Sequence, residues 1–135
     1  MGLNGDLCCR CGLEAEDTNH LFIKCLVARC IWWQLSVWMR ISIPTDSHSV
    51  TERLAFFTNQ LGSKRWKKVV LAVVMAAFWR IWICRNDKLF NGKEVPYNRM
   101  VEAIKEDAFV WIKYRSSKAS LEWDSWVSFN VGTLL

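Results

Sequence analysis

Apolar residues recur along this chain at helical steps, broken by short polar stretches. Val27, Ile31, Leu35 and Trp38 stand three and four residues apart and predict a helix over 26–39. Ile41 to Ser49, with Pro44 inside, reads as a linker. Val50, Leu54, Phe57 and Leu61 predict a short amphipathic helix ending near Gly62. The longest periodic segment spans 65–90. Its stripe is Trp66, Val70, Val73, Ala77, Ile81 and Cys84, broadened by Val69, Val74, Phe78 and Trp82. Asn91-Gly92 predicts its end. A further helix is expected over 98–115, with Asn98 as cap and Val101, Ile104, Ala108, Trp111 and Ile112 facing inward. The tail, with Leu121, Trp123, Trp126, Val127 and Phe129, reads as a short helix or strand that packs back.

The expected fold is mainly α: a small loop-rich CCHC zinc turn followed by three or four packed helices. The expected divisions are 1–40 (zinc module and first helix), 41–49 (linker), 50–118 (helical region) and 119–135 (tail). Val69 to Cys84 has the look of a membrane span, but it is too short and carries Arg80. A buried core helix is expected there, and no membrane span.

Composition sharpens this picture. The chain has 135 residues, 52% of them hydrophobic, with six Cys, nine Trp, six Gly and two Pro. That excludes collagen-like and low-complexity disordered chains. It allows one packed core. No apolar leader segment opens the chain, so a reducing, intracellular setting is expected, nucleus or cytoplasm being left open. The net charge of +5 is uneven. Residues 64–93 hold eight basic side chains against Asp87, a local +7. Such a segment can attract a polyanion or form a solvated helix face.

The sharpest chemistry lies near the N-terminus. Cys8-x2-Cys11-x8-His20-x4-Cys25 offers three thiolates and one imidazole, the donor set of tetrahedral zinc. Gly12 follows the first pair, where a missing side chain lets backbone N–H groups approach the sulfurs. Asp17 is the expected cap of a short helix carrying His20. Five residues separate His20 from Cys25, so that helix must bend, start or end between them. Leu21, Phe22 and Val27 are expected to cover the site. With every ligand supplied by protein, the expected role is structural. Cys9 and Cys30 are read as free thiols, and a disulfide cluster or unpaired structural cysteines are the competing readings. The carboxylates do not cluster as Mg²⁺ catalysis requires. Glu102, Glu106 and Asp107 read as a solvated face paired with Lys105 and Arg99. The chain is therefore not expected to be an enzyme.

The run Cys8, Cys11-Gly12, Glu14 to Asp17, His20-Leu21-Phe22, Cys25 and Ala28-Arg29-Cys30-Ile31-Trp32 resembles the zinc-binding domain that follows the polymerase in plant non-LTR (LINE-type) retrotransposon reverse transcriptases. A second run, Trp79-Arg80-Ile81-Trp82 to Arg85-Asn86 and Phe90, resembles the segment that follows that domain. The resemblance covers most of residues 8–94. Cys9 and Arg10 depart from it, standing where relatives commonly carry Pro and an apolar residue. It implies a fragment of a retroelement protein or a gene derived from one, without the polymerase body.

Two binding readings follow. In the first, Arg10, Lys24 and Arg29 near the zinc turn, with Lys64, Arg65, Lys67 and Lys68, contact the phosphates of RNA or DNA, and Trp33 or Trp38 stacks a base. In the second, the chain is a helical packing domain that meets neighbouring domains or itself. A decayed fragment without selected function is a third. Trp79, Trp82 and Trp111 discriminate: closed into one core they favour a monomer, and exposed with Val69 and Val74 they favour self-association.

Overall fold

A computed structural model describes residues 7–44, 49–115 and 121–130. Among these residues the chain is mainly helical and contains no strand, only an isolated antiparallel bridge between Leu7 and Ala15. A π-helical turn, His20–Lys24, is followed by α1 (Leu26–Met39), α2 (Val50–Thr58), α3 (Lys64–Asn91), α4 (Tyr97–Arg115) and α5 (Trp123–Val127). None of these helices is long and apolar enough to cross a membrane.

Helix α3 is the spine. Ser63 caps its start by accepting the Trp66 N–H at 3.1 Å. Gly92 ends it at φ 65°, where a side chain would be strained. The Gly92 N–H bonds the Lys88 carbonyl at 3.2 Å and the Lys93 N–H reaches back to the Asp87 carbonyl at 3.1 Å, closing the end of the helix. Val70, Val73, Ala77 and Ile81 are fully buried, and Val69 and Val74 join them, so the expected stripe is the core face. Against it lies α4, through Met100, Val101, Ile104 and Ala108. Helix α4 starts one residue early. The Pro96 carbonyl accepts the Met100 N–H at 3.1 Å, and Asn98 lies inside the first turn instead of capping it.

The burial registers depart from expectation at four places. In α1 the buried face is Ala28, Ile31, Trp32, Leu35 and Met39, so the seam is turned toward Trp32. The Trp32 indole draws it there by donating to the Phe22 carbonyl at 2.7 Å. Leu61 is 92% exposed, because α2 ends at Thr58 before the pattern's fourth position. Trp111 stands at the edge of the α4 seam, 40% exposed, with Arg115 4.6 Å above its ring. Lys105 does not pair with its acidic neighbours but sits 4.9 Å over Trp38, and Asp107 takes Arg80 instead.

The tail does pack back, as a helix. Trp126 is fully buried and donates to the Lys105 carbonyl at 2.8 Å. Trp38 donates to Val127 at 2.8 Å and meets Trp126 and Phe129 edge-on. The aromatic discriminator gives a split result. Val69 and Val74 are inside, Trp82 is half-buried against Phe22, and Trp79 is 58% exposed. Of the expected linker, Ile41 is buried, Ser49 caps α2, and residues 45–48 lie outside the described residues, as do 116–120, the expected end of α4's pattern.

Candidate metal centre

Two local structures build the site. The first is the turn that carries Cys8 and Cys11. The Gly12 N–H bonds the Cys8 carbonyl at 2.9 Å, and the Cys8 N–H bonds the Glu14 carbonyl at 2.9 Å. Gly12 has φ 66° with open space around its Cα, so it is needed for its left-handed backbone and not for close approach. The N–H groups aimed at the Cys8 sulfur are those of Arg10 and Cys11.

The second is the π-helical turn. Asp17 opens it, its carboxylate accepting the His20 N–H at 2.6 Å. The Cys25 N–H then bonds the His20 carbonyl at 2.7 Å, an i to i+5 closure. An α-helical turn would carry Cys25 past His20; the wider π turn returns both to one face. That resolves the five-residue spacing, by widening the helix instead of breaking it.

The two turns bring four donor atoms together. Those of Cys8, Cys11, His20 and Cys25 all lie within 4.8 Å of one another. Cys8 and Cys25 sulfurs are 3.8 Å apart, and the Cys11 sulfur is 3.2 Å from His20 Nε2. Around a tetrahedral zinc, sulfur–sulfur edges would be about 3.8 Å and sulfur–nitrogen edges about 3.5 Å. These two edges are close to those of a coordination tetrahedron, and the remaining ones stay within 4.8 Å. All six cysteines are free thiols, and Cys9 and Cys30, both half-buried, stand outside the cluster.

The charge state suits a metal. A hydrogen bond from the Cys25 thiol holds Cys8 far below its ordinary 9.0, at about 3. The same bond, with burial, pushes Cys25 up. The pair thus shares one proton and already carries one thiolate. His20 is buried, with Nε2 toward the sulfurs and Nδ1 3.5 Å from the Glu14 carboxylate. At that distance Nδ1 makes no hydrogen bond, so the ring is positioned by its turn and by the Cys11 sulfur.

An ion pair that sequence reasoning missed locks this unit to α3. Arg85 and Glu16 are both buried, and Arg85 Nε donates to Glu16 Oε1 at 2.8 Å. The guanidinium also donates to Asn86 at 2.8 Å and lies 5.4 Å from the Trp82 ring. By composition Arg85 belongs to the basic segment 64–93. The signal was its register: it stands four residues after Ile81, on the inward stripe. Arg53 carries the same signal, standing among Val50, Leu54 and Phe57 on α2, and is buried over Trp32.

The basic candidates divide into three groups. Arg10 is turned inward, donating to the Leu21 carbonyl at 2.8 Å with Nε and Nη1 buried. Lys24 and Arg29 are exposed and line one groove with Trp33. Lys64, Arg65 and Lys68 are exposed and Lys67 half-buried at the start of α3, away from that groove's lining. Trp38 is taken up by α5, whereas Trp33 is 68% exposed.

No protein-family model matches the chain, nor does any curated protein or solved structure.

Proposed function

We propose that this chain is a zinc-stapled helical module whose metal is structural. The observation that carries the reading is the convergence of Cys8, Cys11, His20 and Cys25 within 4.8 Å. Three soft sulfurs and an imidazole suit zinc over hard cations. The protein supplies all four donors, which leaves no open position for a substrate and favours a structural over a catalytic role. When bound, the metal supplies cross-linking charge that replaces the missing apolar core of residues 7–25. Asp17 fixes the turn, and Glu16 ties the turn to Arg85.

We extend the reading to the post-polymerase region of plant non-LTR reverse transcriptases. Its support is that the two resembling runs meet in space, through Glu16 with Arg85 and Phe22 with Trp82. Trp79 and Phe90, 58% and 65% exposed on α3, favour a second reading as a packing face for a neighbouring domain.

Metal titration tests the first reading. One zinc per chain is expected, with cobalt substitution giving a tetrahedral thiolate spectrum. His20→Ala and Cys25→Ser should each lose that stoichiometry. Equal metal content in wild type and both variants would contradict the assignment.

A further inference from the structure

Among the described residues, Arg53 is a buried charged side chain without a counter-ion. Arg53 is 5% exposed, yet it makes no hydrogen bond or ion pair with any described residue, and its Nε is buried without a partner. Its guanidinium rests on the Trp32 ring at 5.4 Å. A buried, unpaired cation is costly and calls for an anion. Contrast Arg85, equally buried, which has Glu16.

Arg53 lines a groove of about 680 Å³ between α1, the π-helical turn and residues 41–44. The groove is cationic. Lys24, Arg29 and Arg40 line it as well, and among the described lining residues Glu14 is the one acid, which faces His20. Arg40 is partly engaged, 3.3 Å from the Ser128 carbonyl. Lys24 and Arg29 are exposed and have no acidic partner among the described residues. Beside them Trp33 is 68% exposed, one helical step after Arg29 on the same face of α1. The groove thus sets a planar aromatic next to a row of cations, with an unpaired guanidinium beneath.

We propose that this groove binds single-stranded nucleic acid, with one backbone phosphate on Arg53, neighbouring phosphates on Lys24 and Arg29, and a base stacked on Trp33. The guanidinium fork matches phosphate oxygens. An exposed indole gives sequence-tolerant stacking, which an acidic peptide would not use. The proposal rests on the zinc reading in one respect: the metal fixes the turn that carries Lys24.

The test is anisotropy with a labelled oligouridylate of about ten nucleotides, zinc content being measured on every sample. Three phosphate contacts predict a log–log salt slope of about −2, a loss of about twentyfold between roughly 50 and 200 mM salt. Trp33→Ala should weaken binding by about tenfold. Arg29→Glu should weaken it similarly and flatten the slope by at least about 0.7. Both positions are exposed, so the fold should survive. Arg53→Lys, which keeps the charge and loses the fork, should also weaken binding, whereas Lys64→Glu, outside the groove, should change it less than about twofold. Absence of binding at about 50 mM salt by a zinc-loaded chain overturns the groove and leaves the metal reading standing. So does wild-type affinity in Trp33→Ala and Arg29→Glu. A polyglutamate of equal charge that binds as tightly, with the same variant pattern, overturns the nucleic-acid assignment. Binding with the predicted variant pattern in a metal-free chain supports the groove and removes its dependence on zinc.

Discussion

Residues 7–25 and the α3–α4 pair reach a fixed structure by different means. Between Leu7 and Cys25 the buried aliphatic side chains are Leu21 and Ile23; the other buried groups are Cys8, Cys25, His20 and Glu16. Between α3 and α4 the buried side chains are almost all hydrocarbon: Val70, Val73, Ala77 and Ile81 against Met100, Val101, Ile104 and Ala108. Hydrocarbon packing is spread over many contacts and degrades gradually. Donor atoms and a buried ion pair are few, directional and individually decisive. The two regions should therefore fail under different insults.

The largest separation should come from the metal ligands. Structural zinc sites are worth roughly 10–16 kcal/mol at neutral pH, and that energy is folding energy. Cys25→Ser should reduce zinc affinity by several orders of magnitude in competition titration, leaving α3–α4 helicity in place. Acid should act in the same direction. The metal-free Cys8–Cys25 pair holds one proton over a range that runs from about 3 to above 9.0, because Cys8 is lowered and Cys25 raised. The unfolded chain holds two protons on these groups below 9.0 and none above it. Stability from this pair thus rises as pH climbs from about 3 toward 9.0, then falls beyond it. Metal must displace the shared proton, so zinc affinity should rise with pH. Denaturation in chelator across this range, with parallel zinc titrations, checks both signs.

Next in size is the buried pair. Glu16→Gln leaves Arg85 charged and uncompensated, at a cost of about 3–5 kcal/mol in denaturant unfolding. Replacing both with Met should restore most of it, since paired removal of a buried salt bridge is often neutral. A double variant as unstable as the single one would show that the charges themselves are required.

Ile104→Ala cuts the other region. A fully buried aliphatic truncated to Ala costs about 2–5 kcal/mol. The loss should appear in global unfolding with zinc stoichiometry unchanged. The smallest effect is expected from Asp107→Asn. Its pair with Arg80 is about a third exposed on both sides, so the loss should be about 0.2–1 kcal/mol and shrink with salt.

The same contrast sets what could be read from the sequence. The clustering of Cys8, Cys11, His20 and Cys25 was legible because metal chemistry restricts donor type and spacing. The π turn that joins His20 to Cys25 was not, because no residue preference marks it; only the awkward five-residue gap pointed there. In the helical body, Val70 to Ile81 was legible because periodic apolar positions have one way to hide. The α1 seam slipped because Trp32 turned inward on a hydrogen bond to Phe22, which periodicity does not register. Arg53 and Arg85 were illegible for one shared reason. Charge implies the surface, and what overrides it lies far off in sequence: Glu16 for Arg85 and the Trp32 ring for Arg53. A charged residue in the inward register of an amphipathic helix was the available clue. Leu61 failed in the opposite way, carrying the pattern past the end of its helix.

Hydrogen exchange with and without exhaustive chelation tests the central claim most directly. Removing the metal should abolish protection across residues 7–25 while amides of α3 and α4 that face each other stay protected. Unchanged protection across residues 7–25 in the chelated chain would contradict a metal-built site.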